Sequence, residues 1–65
     1  DRNAMLKSLA QALMALPTAE IAQEITALDD RSATIVLRQF SPQVRGKVLS
    51  QLEFRRAQKL EKRLN

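Results

Sequence analysis

The stretch LDDRSATIVLRQFSPQVRGKVLSQL, residues 28–52, returns a large apolar residue every twelve positions, at Leu28, Phe40 and Leu52. The same step of twelve reaches Leu16 in one direction and Leu64 in the other. In each block that starts at these residues, positions six, nine and ten are also mostly apolar. Together with the first residue of the next block they lie three or four apart, which is the spacing of one stripe on an α-helix. The sequence therefore predicts one short helix and one tight turn per block.

Helix start signals recur at the block boundaries. Ser41 before Pro42 predicts an N-cap followed by a proline at the first helical position. Asp29 or Asp30 is predicted to cap the next helix upstream, and Thr18 after Pro17 is predicted to cap the helix of the preceding block. These signals predict helices of about nine residues, each too short to be stable alone in water.

Such helices must bury their apolar stripes against one another, which is typical of a solenoid. We therefore predict an all-α fold of four to five short helices in a superhelical repeat of period twelve. The 65 residues are expected to form a single domain, 1–65. The alternative is an ordinary bundle of four or five helices in which the spacing happens to recur.

The composition argues against most kinds of chemistry. The chain has no Cys and no His, so disulfides, zinc sites and nucleophilic triads are excluded. There is no Gly-rich phosphate loop, and the one adjacent carboxylate pair, Asp29 and Asp30, is better interpreted as helix capping than as a cation site. We predict that the protein is not an enzyme and has no cofactor and no metal site.

Charge divides the chain into two unequal halves. Residues 1–30 hold two basic and five acidic side chains, a net charge of −3, whereas residues 31–65 hold nine basic and two acidic, a net charge of +7. The absence of cysteine, of a secretory signal and of a membrane-spanning run favours a cytoplasmic protein. The chain begins at Asp1, and its basic C-terminal segment, 53–65, has no helix stop signal. We therefore expect a domain excised from a larger protein, with a last helix that continues into it.

The pattern L-[P/D]-x-x-x-x-A-x-x-L-x-x, strongest over residues 16–52, resembles the helical repeats in the cytosolic N-domain of MgtE-type magnesium transporters. It is also similar to the N-terminal region of the flagellar motor-switch protein FliG and to the flagellar chaperone MotE. The resemblance implies short helices wound into a right-handed superhelix that serves for regulation or for protein docking. The transporter domain is typically acidic and helps to sense magnesium. This chain is basic and has few carboxylates, so magnesium sensing is not carried over.

We predict a basic band along one flank of the stacked helices, because its members recur at block positions four, eight and eleven. A non-catalytic docking or regulatory module would use this band to bind an acidic or amphipathic protein segment. A small nucleic-acid-binding domain using the same residues is the alternative, and an anionic membrane surface is a third. The predicted partner-binding residues are Arg31, Arg38, Arg45, Lys47, Phe54, Arg55, Arg56, Lys59 and Lys62, and Arg63 widens the band.

Two places break the repeat. Arg45 occupies an otherwise apolar position and precedes Gly46, which lies inside a predicted helix. Either Val44 takes over the buried contact and Gly46 admits a neighbouring helix closely, or a partner approaches the Gly46 backbone and meets Arg45. Phe54, near a predicted helix start, either packs on its own turn or lies exposed as a binding hot spot.

Overall fold

The computed structural model describes all residues, 1–65, and contains five α-helices and no strand. The helices are α1 (Arg2–Leu13), α2 (Thr18–Thr26), α3 (Asp30–Arg38), α4 (Pro42–Ser50) and α5 (Phe54–Leu64). The all-α prediction is confirmed, and α2 to α5 begin twelve residues apart. The winding of these helices into a right-handed superhelix stays a prediction. None of the five combines the length and the apolar character that crossing a membrane requires.

One backbone pattern follows each of the first four helices and accounts for the period of twelve. The N–H of the recurring apolar residue donates to a carbonyl three residues back: Leu28 to Ile25 at 3.0 Å and Phe40 to Leu37 at 3.2 Å. The residue after it is extended, with ψ of 165° at Asp29 and 156° at Ser41. No residue in these turns has a positive φ, so no glycine is needed.

The capping chemistry differs from block to block, although the backbone pattern does not. Ser41 caps α4 as predicted, accepting from the Val44 N–H at 3.2 Å. The prediction for Thr18 is wrong: Pro17 occupies the cap position, without a side-chain bond, and Thr18 is already helical. Asp29 occupies the cap position of α3, but its carboxylate does not accept from an N–H of that helix.

The core is built around α3. Fourteen buried apolar residues form one cluster, and Val36 and Leu37 on α3 are fully buried within it. The most extensive packing joins helices two apart in the chain, α1 with α3, α2 with α4, and α3 with α5. This order places α3 between partners on both sides and leaves α4 and α5 at one end of the stack.

The predicted apolar stripe is buried in the middle of the chain and uncovered at its ends. Phe40 and Leu52 are buried, Leu28 and Leu64 are half-buried, and Leu16 is 39% exposed. Leu16 is therefore wrongly predicted as a core residue, because α1 and α2 lack a helix beyond them to cover the turn.

Candidate functional site

Helix α4 is the least covered helix of the repeat. Val48 is its one fully buried residue, while Val44 and Leu49 are half-buried. Its packing partners are α2 on one side and α5 on the other. The surface between α4 and α5 carries the half-buried Leu49 and the exposed Phe54 beside the buried Leu52 and Ala57.

Two adjoining concavities form this surface, which we call the α4–α5 groove. One, of about 380 Å³, runs past Leu49, Leu52 and Ala57 to Phe54 at the turn between the helices. The other, of about 300 Å³, runs from Leu49 towards Leu64 at the opposite end. Gly46, Leu49 and Glu61 line both concavities, so the two adjoin at these residues.

Gly46 lies in the wall of the groove where the two concavities meet. It is inside α4, it is exposed, and its φ is not positive. A Cβ atom at this position would find no neighbouring heavy atom within 4 Å. The prediction that Gly46 admits a neighbouring helix of its own chain is therefore wrong, and the fold itself gives no reason for a glycine here.

The two ends of the groove differ in chemistry. Phe54 is 71% exposed at one end of the groove. The prediction that it packs on its own turn is therefore wrong. Arg45 lies at the other end and is half-buried, with one guanidinium nitrogen 3.5 Å from the Phe40 carbonyl oxygen. Glu61 lies between them. An apolar floor thus joins an exposed aromatic ring to a guanidinium.

Most of the nine predicted partner-binding residues line one of three concave surfaces, two of which share Phe54. Phe54 and Arg45 belong to the α4–α5 groove. A second surface, on the outside of α5, also includes Phe54 and adds Arg55, Lys59 and Lys62. The third surface lies between α3 and α5, and its members are Arg31, Arg38, Arg63, Asn3, Thr34 and Ile35. Lys47 lines none of the three surfaces.

Arg56, the ninth predicted residue, is used inside the fold. Its Nη2 donates to the Leu28 carbonyl at 2.6 Å and its Nη1 to the Thr26 carbonyl at 3.3 Å, at the C-terminal end of α2. Its Nε donates to Asp30 Oδ1 at 3.0 Å, and Lys59 lies 3.6 Å from the other carboxylate oxygen. Helix ends leave carbonyls without partners, and Arg56 satisfies two of them from another helix.

A second arginine, which the sequence analysis did not single out, ties α1 to α3. Arg2 donates to Asp29 Oδ1 at 3.1 Å and to the buried Ser32 hydroxyl at 2.7 Å. Hydrogen bonding from Ser32 and the nearby guanidinium of Arg2 hold the pKa of Asp29 below its ordinary value of 3.8, although desolvation acts against them. The Asp29 carboxylate therefore joins α1 to the start of α3.

Several groove residues were missed for an identifiable reason. Leu49 and Leu64 fit the apolar stripe and were therefore predicted to be core, and Ala57 and Glu61 carried no signal of their own. An apolar stripe does not reveal which of its members another helix covers. No family model, curated protein or solved structure matches the chain.

Proposed function

We propose that this domain is a non-catalytic docking module that binds an amphipathic helix of a partner protein in the α4–α5 groove. The observation that carries the proposal is Gly46, a glycine in the middle of an exposed helix that lines an open apolar channel. Glycine in a helix interior costs about 1 kcal/mol relative to alanine. A residue that breaks a local rule without a reason in the fold points to a functional surface.

The dimensions of the groove suit a helix of about three turns. Helix α5, which forms one wall, has eleven residues and is therefore about 16 Å long. The floor presents Leu49, Leu52 and Ala57, and the missing side chain at Gly46 lets a second helix approach α4 closely. An amphipathic helix would lay its apolar stripe into such a channel, with anchors three or four residues apart.

The packing order of the chain supports a helix as the occupant. Each helix packs on the helix two positions later, as α2 does with α4 and α3 with α5. A helix supplied by another protein would pack on α4 in the groove as α4 itself packs on α2.

Charge favours an acidic partner. Residues 30–65, which form α3 to α5 and their turns, hold nine basic and three acidic side chains, a net charge of +6. Arg45 has further guanidinium N–H groups beyond its long contact with Phe40, and these are available to a carboxylate at the Leu64 end of the groove. Docking of a protein segment is also the function that the resemblance to the transporter and flagellar repeats implies.

The proposal is tested by titrating the isotope-labelled domain with a synthetic helical peptide of about fifteen residues. The peptide carries leucine at helical spacing on one face and glutamate on the rest. We expect saturable shifts of the backbone amides of Gly46, Leu49, Phe54 and Ala57. These shifts should persist from about 50 to about 200 mM salt, because burial of the apolar stripe contributes most of the binding free energy.

A matched peptide with lysine in place of every glutamate is the control. It has the same apolar stripe, and we expect it to bind at least about tenfold more weakly, because the net charge of +4 outweighs Glu61, the one acidic side chain that lines the groove. Equal binding of both peptides would contradict the acidic partner. Shifts confined to residues outside the groove would contradict the site.

A second candidate function, nucleic-acid binding, is favoured by the outer surface of α5. Phe54, Arg55, Lys59 and Lys62 lie together there, an exposed ring beside three cations, which is the combination that stacks bases and neutralises phosphates. A short duplex and a short single-stranded oligonucleotide test it in the same titration. Shifts at Arg55 and Lys62 that collapse between about 50 and 200 mM salt would favour this function over docking.

A further inference from the structure

We propose that the cleft between α3 and α5 binds a phosphate group through Arg31, Arg38 and Arg63. This cleft, of about 470 Å³, lies apart from the α4–α5 groove and shares no residue with it. The proposal therefore does not depend on the docking function.

Three guanidinium groups line this cleft without any carboxylate. None of the three is in an ion pair, because the carboxylates near α3 are already engaged: Asp29 with Arg2, and Asp30 with Arg56 and Lys59. No acidic residue lines the cleft. Like charges held at one site repel one another, and a bound anion would turn that repulsion into attraction.

Two of the arginines are held in position by hydrogen bonds that leave other N–H groups available. Arg38 uses Nη2 to donate to the Arg63 carbonyl at 3.0 Å, and Arg63 uses Nε to donate to the Thr34 hydroxyl at 3.0 Å. The remaining N–H groups of each guanidinium have no partner within the chain. Positioned guanidinium groups with open donors match the oxygens of a phosphate, which accepts two parallel hydrogen bonds from one arginine.

Arg31 is the member that the fold does not explain. Its side chain makes no hydrogen bond or ion pair, and it lies in the first turn of α3. A cation is unfavourable at this end of a helix, because the aligned peptide dipoles place partial positive charge there. An anion in the cleft would remove this unfavourable position by pairing with the Arg31 guanidinium. The side-chain amide of Asn3, from α1, adds a further donor at the rim.

The ligand class is a phosphate monoester or free phosphate, in its doubly charged form. A cleft of this volume accommodates a small phosphorylated molecule. Titration of the labelled domain with inorganic phosphate and with glycerol phosphate at constant ionic strength separates the free ion from the ester. We expect saturable shifts of the side-chain Nε–H signals of Arg31, Arg38 and Arg63. Tighter binding of glycerol phosphate would identify a phosphate monoester as the ligand, and tighter binding of inorganic phosphate would identify the free ion.

Arg31→Gln is the test variant, since the Arg31 side chain has no contact whose loss would unfold the domain. We expect it to weaken phosphate binding about tenfold or more, the loss of one charge-assisted contact. Lys47→Gln removes one positive charge from an exposed position on α4 that lines none of these surfaces, and it should leave the affinity within about twofold. The proposal is overturned if sodium chloride gives the same shifts, if both variants weaken binding equally, or if an oligonucleotide binds the cleft and neither phosphate does.

Discussion

Individual arginines in this protein have different roles, which their positions in the repeat do not predict. Arg55 and Arg56 are adjacent on α5, yet the Arg55 side chain is exposed without a hydrogen bond or ion pair, whereas Arg56 joins the end of α2 to the start of α3. Three of its N–H groups donate to groups of these two segments, and its side chain is only 23% exposed. Arg56 is therefore a structural residue in this fold.

Arg56→Ala should lower the free energy of unfolding by about 1.5–3 kcal/mol, because it leaves two carbonyls and Asp30 without their donor. Arg55→Ala removes the same side chain from an exposed position and should change it by less than about 0.5 kcal/mol. Urea unfolding followed by circular dichroism gives both values. Equal effects of the two substitutions would mean that the Arg56 contacts contribute nothing to stability.

The helices differ in how completely their apolar faces are covered. Helix α3 packs on α1, α2 and α5 and buries five residues, whereas α4 buries Val48 alone. Leu37 and Leu49 occupy the same position of consecutive blocks, so the sequence predicts equal burial for both. The structure buries Leu37 completely and leaves Leu49 half-buried in the floor of the groove.

Leu37→Ala should cost about 2–5 kcal/mol, the loss of a fully buried leucine together with the cavity left behind. Leu49→Ala should cost only about 1 kcal/mol, because much of its side chain is already in contact with water. In a domain this small the first change is expected to unfold most of the population. Thermal unfolding of the two variants side by side checks this, and equal destabilisation would contradict the open groove.

At the scale of the whole molecule, the all-α fold and the helix starts follow from the sequence. They depend on local chemistry: an apolar residue that closes each turn, and an extended residue such as Asp29 or Ser41 after it. The groove and the arginine contacts depend on which helices meet, over separations such as the 28 residues between Arg56 and Leu28. A periodic pattern does not show which helices are in contact. It therefore predicted Leu49 in the core and Arg56 on the surface.

The proposed docking function requires that Gly46 keeps the α4–α5 groove open for a partner helix. It is tested most directly by the affinity of the acidic helical peptide for the wild-type domain and for Gly46→Gln. Glutamine is a better helix former than glycine, and a Cβ atom here meets nothing in the fold, so the variant should be at least as stable as the wild type. We predict that its longer side chain fills the groove and weakens peptide binding by about tenfold or more. Unchanged affinity in a folded Gly46→Gln domain would contradict the account.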